Sequence, residues 1–245
     1  PGSPRFSRKM KEIQHRALQD AKAIENGGMD GIIIENIGDA PFFPLNVPPE
    51  TIASMTTIAE KVKQEVTLPM GINVLRNDAH AALAIAKAVG ASFIRINVHM
   101  GTYVTDQGLI SGRAWETLRI RKALDAEDIK LFVDVQVKHA QRLTPMLIGE
   151  EAKELVERGL ADAIIVTGTS TGVTANLKDL QQVKSVVMDR GPVLCGSGAN
   201  EENVSSILKI ADGVIVGGAL KENSNIKNPI DSKRVKSFVS KIRRI

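Results

Sequence analysis

The sequence predicts a (β/α)8 barrel, a parallel sheet closed into a cylinder and surrounded by helices. Three observations favour this fold class. An amphipathic helix is followed by a short β-branched run again and again along the chain. The repeat is about 30 residues long, and the 245 residues match the usual size of an eight-unit barrel. We therefore expect residues 1–245 to form a single domain of this class.

Seven runs are predicted to be strands, each ending in polar or glycine residues. They are Gly31 to Asn36, Met70 to Leu75, Phe93 to Val98, Leu131 to Lys138, Ala163 to Gly168, Val193 to Gly198 and Gly213 to Gly218. Eight helical patterns accompany them, and the first helix precedes every strand. A closed barrel therefore needs a strand upstream of Pro1, which we expect to be missing. A doubly wound open sheet is the alternative, but no dinucleotide-binding fingerprint or switch point supports it.

The helices are predicted from apolar residues spaced three or four apart. The faces used are Ile13, Ala17, Ala21 and Ile24 in the first helix, Ile52, Met55, Ala59, Val62 and Val66 in the second, Val204, Ile207 and Leu208 in the seventh, and Val235, Phe238, Val239 and Ile242 in the last. Gly27 and Gly28 are expected to end the first helix, and Pro48 and Pro49 to open the second.

Composition excludes several classes of protein. Aromatic residues make up 3% of the chain, which leaves little material for stacking nucleic-acid bases. The net charge of +4 is spread along the sequence, and no apolar run is long enough to span a bilayer. The single cysteine, Cys195, excludes an intramolecular disulfide and suits a reducing compartment. We expect a cytoplasmic protein, although a chain that opens at Pro1 leaves targeting open.

Polar residues alternate with apolar ones in the predicted strands, and this alternation sorts them into the barrel interior. The predicted inward set is Glu35, Asn73, Arg95, Asn97, Asp134, Gln136, Lys138 and Thr167. Burying a charge costs several kcal/mol unless it is paired. Either Arg95 pairs with Asp134 or Glu35 in an internal salt-bridge layer, or these groups bind and transform a ligand.

The catalytic hypothesis centres on the strand ends, where barrel enzymes keep their reactive groups. Long segments follow the predicted strands, which identifies that end as the working face. Asp134 and Lys138 lie near it, with Asp134 or Glu35 as the base. Lys138 would act as an acid, an electrostatic stabiliser or a Schiff-base amine. The predicted substrate-binding residues are Asn73, Arg95, Asn97, Asp106, Gln136 and Thr167.

Glycine-rich segments end the last two predicted strands and suggest a phosphate site. Barrels that bind phosphorylated ligands often hold the phosphate there on backbone N–H groups. The predicted phosphate-binding residues are Gly196, Ser197, Gly198, Gly217 and Gly218, with Lys221 adding charge.

Other polar residues near strand ends are more simply explained by structure. His99 and His139 have no metal-ligand spacing, and we predict loop or capping roles for them. Arg76, Asn77 and Asp78 are expected to cap the following helix, although Arg76 or Asn77 could reach substrate. Asp106 lies in a predicted turn as a candidate ligand, and Cys195 is expected in the core.

With these residues identified, the sequence resembles the BtpA/SgcQ family. The matching stretches are Pro1 to Arg5, Glu35-Asn36, Gly38 to Phe42, Gly71 to Asp78, Arg95 to Val98, Thr105 to Gly108, Val137 to Ala140, Gly196 to Gly198 and Val216-Gly217. The resemblance implies a barrel of the ribulose-phosphate-binding group, in which Pro1 to Arg5 follows a first strand. Gln136 departs from the family pattern, where histidine is expected, so proton transfer at that position is in doubt.

Two functions remain open. The first is an enzyme, a lyase, isomerase or hydrolase acting on a small phosphorylated sugar or nucleoside-like compound. We expect no cofactor and no metal, and the small phosphorylated molecule as partner rather than nucleic acid; a homo-oligomer is compatible with this. The second is an assembly factor, which the family's link to photosystem I biogenesis implies. It would use a partner surface around Pro41 to Pro44, a segment that otherwise packs as a lid over the barrel mouth.

Overall fold

The computed structural model describes residues 1–7, 9–168 and 174–243. Its strands are β1 (Ile32–Glu35), β2 (Met70–Asn73), β3 (Phe93–Ile96), β4 (Thr102–Thr105), β5 (Gly108–Ser111), β6 (Lys130–Val135), β7 (Ala140–Arg142), β8 (Ala163–Val166), β9 (Val193–Cys195) and β10 (Gly213–Val214). Its α-helices are α1 (Met10–Gly27), α2 (Pro49–Lys63), α3 (Ala79–Val89), α4 (Ala114–Ala123), α5 (Ile148–Glu157), α6 (Leu177–Val187), α7 (Val204–Ile207) and α8 (Ser232–Ile242).

The main sheet has seven strands in the order β1-β2-β3-β6-β8-β9-β10, and every pair is parallel. Neighbours in this sheet are also neighbours along the chain, apart from the inserted strands β4, β5 and β7. That order, with helices between the strands, is the arrangement of a (β/α)8 barrel, so the predicted fold class is confirmed. Among the described strands, β1 and β10 each have one partner and form the edges.

All seven predicted barrel strands are present, but each ends one to four residues earlier than its sequence run suggests. The residues beyond these ends belong to the loops at the barrel mouth. Apolar side chains of the strands, such as Ile72, Ile94 and Val133, are fully buried against the helices. Their burial supplies the main driving force for packing the helices onto the sheet.

The first and last helices pack together and close the helical layer. A side chain at Gly27 would place its Cβ 2.1 Å from Cγ1 of Val235, so only glycine allows this contact. The N–H of Ile230 donates to the carboxylate of Asp20 (2.9 Å), and Lys221 pairs with the same carboxylate (3.5 Å). These contacts join parts of the chain that are more than 200 residues apart.

Strands β4, β5 and β7 form a small antiparallel sheet, in the order β5-β4-β7, that the sequence analysis assigned to long loops. Tyr103 and Ile110 on its inner face pack with two residues beyond barrel-strand ends, Val98 and Val137. The Tyr103 hydroxyl donates to Glu151 of α5, which is 3% exposed. Burial raises the pKa of both side chains. The small sheet therefore fixes the loops after β3 and β6 relative to each other.

Within the part of the chain that the structure describes, no helix combines the length and apolar character needed to cross a membrane.

Candidate functional site

A buried ion pair occupies the interior of the barrel. Arg95 of β3 donates from Nε and Nη2 to the two carboxylate oxygens of Asp134 on β6, at 3.0 and 3.1 Å. Its Nη1 donates to Glu35 of β1 at 3.3 Å. Burial alone would lower the pKa of Arg95, but the two carboxylates outweigh it and the pKa is raised. The internal salt-bridge layer considered for Arg95 is therefore confirmed.

Two asparagines extend this network across the barrel. Asn97 donates to Asp134 (2.8 Å), while Asn73 donates to the Arg95 carbonyl (3.0 Å) and to the Asn97 side-chain oxygen (3.1 Å). The inward orientation predicted for these residues is confirmed. Both oxygens of Asp134 accept hydrogen bonds from Arg95 or Asn97, and its side chain is fully buried. Glu35 is the accessible carboxylate of the network, with 24% of its side chain exposed.

Lys138 lies just beyond the end of β6, in a turn with unusual backbone geometry. Gln136 and His139 both adopt the left-handed region, with φ of +48° and +55°. The Lys138 amine makes no hydrogen bond or ion pair with a described residue, although the residue is partly buried. Burial lowers its pKa and Arg95 lowers it further, against the opposing charges of Glu35 and Asp134. The site thus contains an amine that is easier to deprotonate than an ordinary lysine.

Gln136 does not point into the barrel, and this placement in the sequence analysis is wrong. Strand β6 ends at Val135, and the left-handed turn at Gln136 breaks the alternation of side chains. The side chain is exposed and donates to the carbonyl of Met146 (3.0 Å).

Arg76 is a member of the site that the sequence analysis considered mainly as part of a helix cap. Its side chain is 4% exposed and crosses from the end of β2 to donate to the Lys138 carbonyl (2.6 Å). It forms no ion pair with a described residue, and its Nε is buried without a hydrogen-bond partner. The two following residues have structural roles. Asp78 caps α3 by accepting the N–H of Ala81, and the Asn77 side chain donates to the Val98 carbonyl and accepts the Val98 N–H.

Thr167 and Gly196, the residues that directly follow β8 and β9, lie beside the network. The Thr167 hydroxyl is buried and has no hydrogen-bond partner among the described residues. A Cβ on Gly196 would lie 2.3 Å from Cγ2 of Ile165 and 3.6 Å from Nη2 of Arg95. The N–H of Gly196 donates to the carbonyl of Val166 in the sheet (2.8 Å). Glycine at this position therefore provides space for Ile165, and its N–H is not available to a phosphate.

The next two residues of the glycine loop, Ser197 and Gly198, differ from Gly196 in how their polar groups are hydrogen-bonded. The Ser197 hydroxyl accepts the N–H of Gly168 (3.2 Å) and is buried. Gly198 has φ +74°, and its carbonyl accepts hydrogen bonds from Thr174 and Asn203, both at 2.9 Å. Its own N–H makes no hydrogen bond to a described residue.

The second glycine loop, Gly217 and Gly218, is open to the barrel mouth. Apart from the adjoining residues, no described atom lies within 4 Å of a Cβ built on either glycine, and neither N–H bonds to a described residue. Lys221 does not add charge here, contrary to the expectation from sequence, because its amine binds Asp20 and the carbonyl of Asn228.

The remaining candidates lie at the rim or in the packed interior. Asp106 is exposed in the hairpin turn between β4 and β5, as predicted, and accepts from the Gln107 side chain. His99 is buried, and its Nε2 hydrogen-bonds the Gly159 carbonyl (2.8 Å), which fits a structural role. Cys195 is fully buried, and burial raises the pKa of its thiol. Among the described residues, no three His, Cys, Asp or Glu side chains are grouped so as to hold a metal ion.

A cavity of about 140 Å³ lies beside the mouth, between residues 2–4 and the loop after β1. Phe42 lines it, together with Asn36 and Asp39, which are hydrogen-bonded to each other (3.2 Å). Phe43 of the same loop also borders the cavity, and it is 54% exposed. This loop therefore borders the mouth and also presents one aromatic ring to solvent.

Comparison with known proteins identifies the family. The model of the BtpA family matches residues 1–244, so the chain belongs to this family. It is 46% identical over 239 residues to the photosystem I biogenesis protein BtpA of Synechocystis, covering 98% of this chain and 83% of that protein. It is 48% identical to an uncharacterized protein of Pyrococcus furiosus, with 98% and 89% covered. The resemblance inferred from the sequence motifs is thus confirmed.

Solved structures support the fold. N-(5'-phosphoribosyl)anthranilate isomerase from Pyrococcus furiosus matches with a TM-score of 0.59 and 15% identity, covering 94% of this chain and 96% of that one. Thiamine phosphate pyrophosphorylase from the same organism matches with a TM-score of 0.61 and 14% identity, covering 93% and 89%. At these identities the likeness concerns the barrel architecture alone.

Proposed function

We propose that this member of the BtpA family is an enzyme that transforms a small phosphorylated sugar or nucleoside-like compound at the carboxyl end of its barrel. The observation that carries the proposal is Lys138, a partly buried amine without a described partner, which lies above an interior ion-pair network. A protein that uses its barrel only as a scaffold gains nothing from such a group, because burying an unpaired charge opposes folding. Active sites often contain groups with perturbed pKa values, because catalysis needs pKa values that are matched to the reaction.

The proposed acid–base pair is Glu35 and Lys138. Glu35 is partly accessible, and as a carboxylate it can accept a proton from a carbon or hydroxyl of the substrate. Lys138 as an ammonium would stabilise or protonate the oxygen that becomes negative; as a free amine it would attack a substrate carbonyl and release water. Asp134 is assigned a positioning role, since it holds Arg95 and Asn97 and has no free oxygen.

The phosphate is assigned to the N–H groups of Gly198, Gly217 and Gly218. Backbone N–H groups at the ends of the last two strands are a recurrent phosphate site in barrels of this kind. The two solved structures named above, which share the fold, are both named for phosphorylated compounds. The buried hydroxyl of Thr167 and the side-chain oxygen of Asn73, each without a described partner, are further groups that a polar ligand would satisfy.

A thermal-shift screen tests whether the protein binds a phosphorylated compound. Phosphorylated sugars, nucleotides and inorganic phosphate are added to the protein, and a ligand at 100 times its dissociation constant adds about 2.7 kcal/mol of stability. Gly218→Val should abolish the shift by filling the phosphate site. Gly38→Val is the matched control, because that glycine also has open surroundings and lies in a different loop. A shift that survives Gly218→Val would contradict the assigned phosphate site.

Borohydride reduction distinguishes the two roles of Lys138. A compound with a carbonyl group that forms a Schiff base is fixed covalently to the amine, and mass spectrometry finds the added mass on the peptide containing Lys138. Turnover without trapping would assign Lys138 to acid or electrostatic catalysis. Glu35→Gln should abolish turnover while leaving the thermal shift in place, since the phosphate contacts are elsewhere.

An assembly factor is the second candidate function, because the Synechocystis relative is named as a photosystem I biogenesis protein. Exposed apolar residues that would suit it are Phe43 on the loop after β1 and Val104 and Leu109 on the outer face of the small sheet. If none of the compounds in the ligand screen changes the melting temperature, the assembly factor becomes the favoured candidate.

Under the enzyme proposal the protein works in a reducing, cytoplasmic setting, which its lone buried cysteine supports.

A further inference from the structure

We propose that Arg76 and Lys138 form a second anion site, and that the substrate therefore carries a carboxylate as well as its phosphate. This deepens the function proposed above and rests on it. The substrate class becomes the phosphorylated carboxylic acids, with the phosphate on the glycine loops and the carboxylate between the guanidinium and the amine.

Arg76 is exceptional among the deeply placed arginines that the structure describes. Arg95 pairs with Asp134 and Glu35, Arg121 pairs with Asp162, and Arg142 pairs with Glu151. Arg76 is as buried as Arg95 but has no carboxylate within ion-pair distance among the described residues. A buried guanidinium without a counter-ion opposes folding strongly, so proteins retain one where a bound anion compensates it.

The Arg76 guanidinium also has N–H donors that are not used by described residues. Only Nη2 has a described partner, the carbonyl of Lys138. The Nε is buried and unpartnered, and Nη1 makes no hydrogen bond to a described residue. The planar fork of an arginine matches the two oxygens of a carboxylate, and such charge-assisted pairs are the strongest hydrogen bonds in proteins.

Lys138 completes the site from the neighbouring loop. The hydrogen bond from Arg76 to the Lys138 carbonyl joins the two residues across the mouth. Burial lowers the pKa of the neighbouring His139, and the positive charges of Lys138 and Arg76 lower it further. Asp134 and Glu35 lie below and are engaged by Arg95. An anion placed between Arg76 and Lys138 would relieve the repulsion between them.

Matched pairs of probes test the carboxylate. The pairs are 3-phosphoglycerate with glycerol 3-phosphate, and 6-phosphogluconate with glucitol 6-phosphate; in each pair the members differ by a carboxylate against an alcohol. Calorimetric titration should show the acid binding about tenfold or more tightly in the wild type. The preference should fall to within about twofold in Arg76→Gln and be partly kept in Arg76→Lys. Arg121→Gln, a paired arginine on α4, is the control and should leave the preference unchanged.

A second measurement is independent of the phosphate. Malonate should slow acylation of Lys138 by an amine-reactive ester severalfold, followed by mass spectrometry, in the wild type but not in Arg76→Gln. Equal binding of acid and alcohol, both lost in Gly218→Val, would overturn the second anion site and leave the proposed function standing. Protection by malonate with no binding of any phosphorylated probe would overturn the phosphate assignment and keep the anion site. No protection and no preference would overturn the inference.

Discussion

The two ends of the barrel handle charge in opposite ways. At the amino end, Asp162 and Asp212 precede β8 and β10 and play the same role. Each accepts an N–H at the start of the neighbouring strand, Asp162 from Leu131 (2.9 Å) and Asp212 from Val193 (2.7 Å). Each also pairs with a cation, Asp162 with Arg121 and Asp212 with Lys184. Both carboxylates therefore have hydrogen-bond and ion-pair partners, so they contribute to stability at this end.

At the carboxyl end, cations are kept without counter-ions. Arg76 and Lys138 have no ion pair with a described residue, and the hydroxyl of Thr167 is buried without a partner. The comparison teaches that the chain gives charged groups partners where it needs only stability. The unsatisfied groups are therefore concentrated at the end where barrels perform their chemistry, at a cost in folding free energy.

The largest effect is expected from breaking the interior ion pair, which lies between the two ends. Asp134→Ala leaves Arg95 buried with Glu35 as its remaining partner, and should lower the free energy of unfolding by about 3–5 kcal/mol. Asp162→Ala removes partly exposed ion pairs and should cost about 1 kcal/mol. Urea unfolding measures both. Equal losses would show that the interior network is no more important to stability than the amino end.

A smaller effect separates two glycines at the carboxyl end. Gly196→Ala places a Cβ 2.3 Å from Cγ2 of Ile165 and 2.8 Å from Cγ2 of Thr167, and overpacking of this kind costs about 1–3 kcal/mol. Gly218→Ala meets no atom within 4 Å and should change stability by less than about 1 kcal/mol. Thermal denaturation of the two variants checks the difference. A large loss in Gly218→Ala would mean that this loop is packed rather than open.

Removing the unpaired amine should stabilise the protein. Folding lowers the pKa of Lys138, so protonation of the amine opposes folding. The penalty is fully present below the folded-state pKa and disappears as pH rises from there towards the ordinary lysine value. Lys138→Met should therefore gain about 0.5–2 kcal/mol at pH 7, and less in alkaline buffer. Lys184→Met, at the amino end, should lose stability instead; a loss in both variants would contradict the comparison.

The smallest effect concerns the acid sensitivity of the amino end. Burial alone would raise the pKa of Asp212, but hydrogen bonds from Lys184 and from the Val193 N–H outweigh it, so the pKa is lowered. The stability that Asp212 contributes is therefore present at neutral pH and lost as pH falls through its folded-state pKa. Asp212→Asn should cost about 0.5–1 kcal/mol at pH 7 and nothing at low pH. A difference that persists in acid would assign the loss to packing.

The strands and the ion pair were predictable because they follow from periodicity and charge. Alternation in the run from Phe93 to Val98 predicts Arg95 inside, and an inward arginine requires a carboxylate, which Asp134 supplies. Gln136 was misplaced because the alternation was continued through a residue whose backbone leaves the strand. No side-chain pattern reveals a left-handed turn at a glutamine.

Arg76 was assigned mainly to a helix cap and the small antiparallel sheet was missed, for different reasons. Arg76 lies on a loop, where period-two reasoning does not apply, and only the structure shows its reach to Lys138. The sheet did leave a signal, since β-branched and apolar residues flank the turn of Asp106 to Gly108, as in a hairpin.

The contact between α1 and α8 has a consequence for how the protein folds. Each strand–helix unit closes over about 30 residues. The hydrogen bond from Ile230, just before α8, to Asp20 of α1 joins residues that are 210 positions apart. Loop-closure entropy makes this junction about 1.7 kcal/mol more costly than a closure within one unit. It gains its packing only once the intervening units have formed, so we expect it to form last and to open first. Hydrogen exchange in α1 and α8 should then be faster than in α3, midway along the chain.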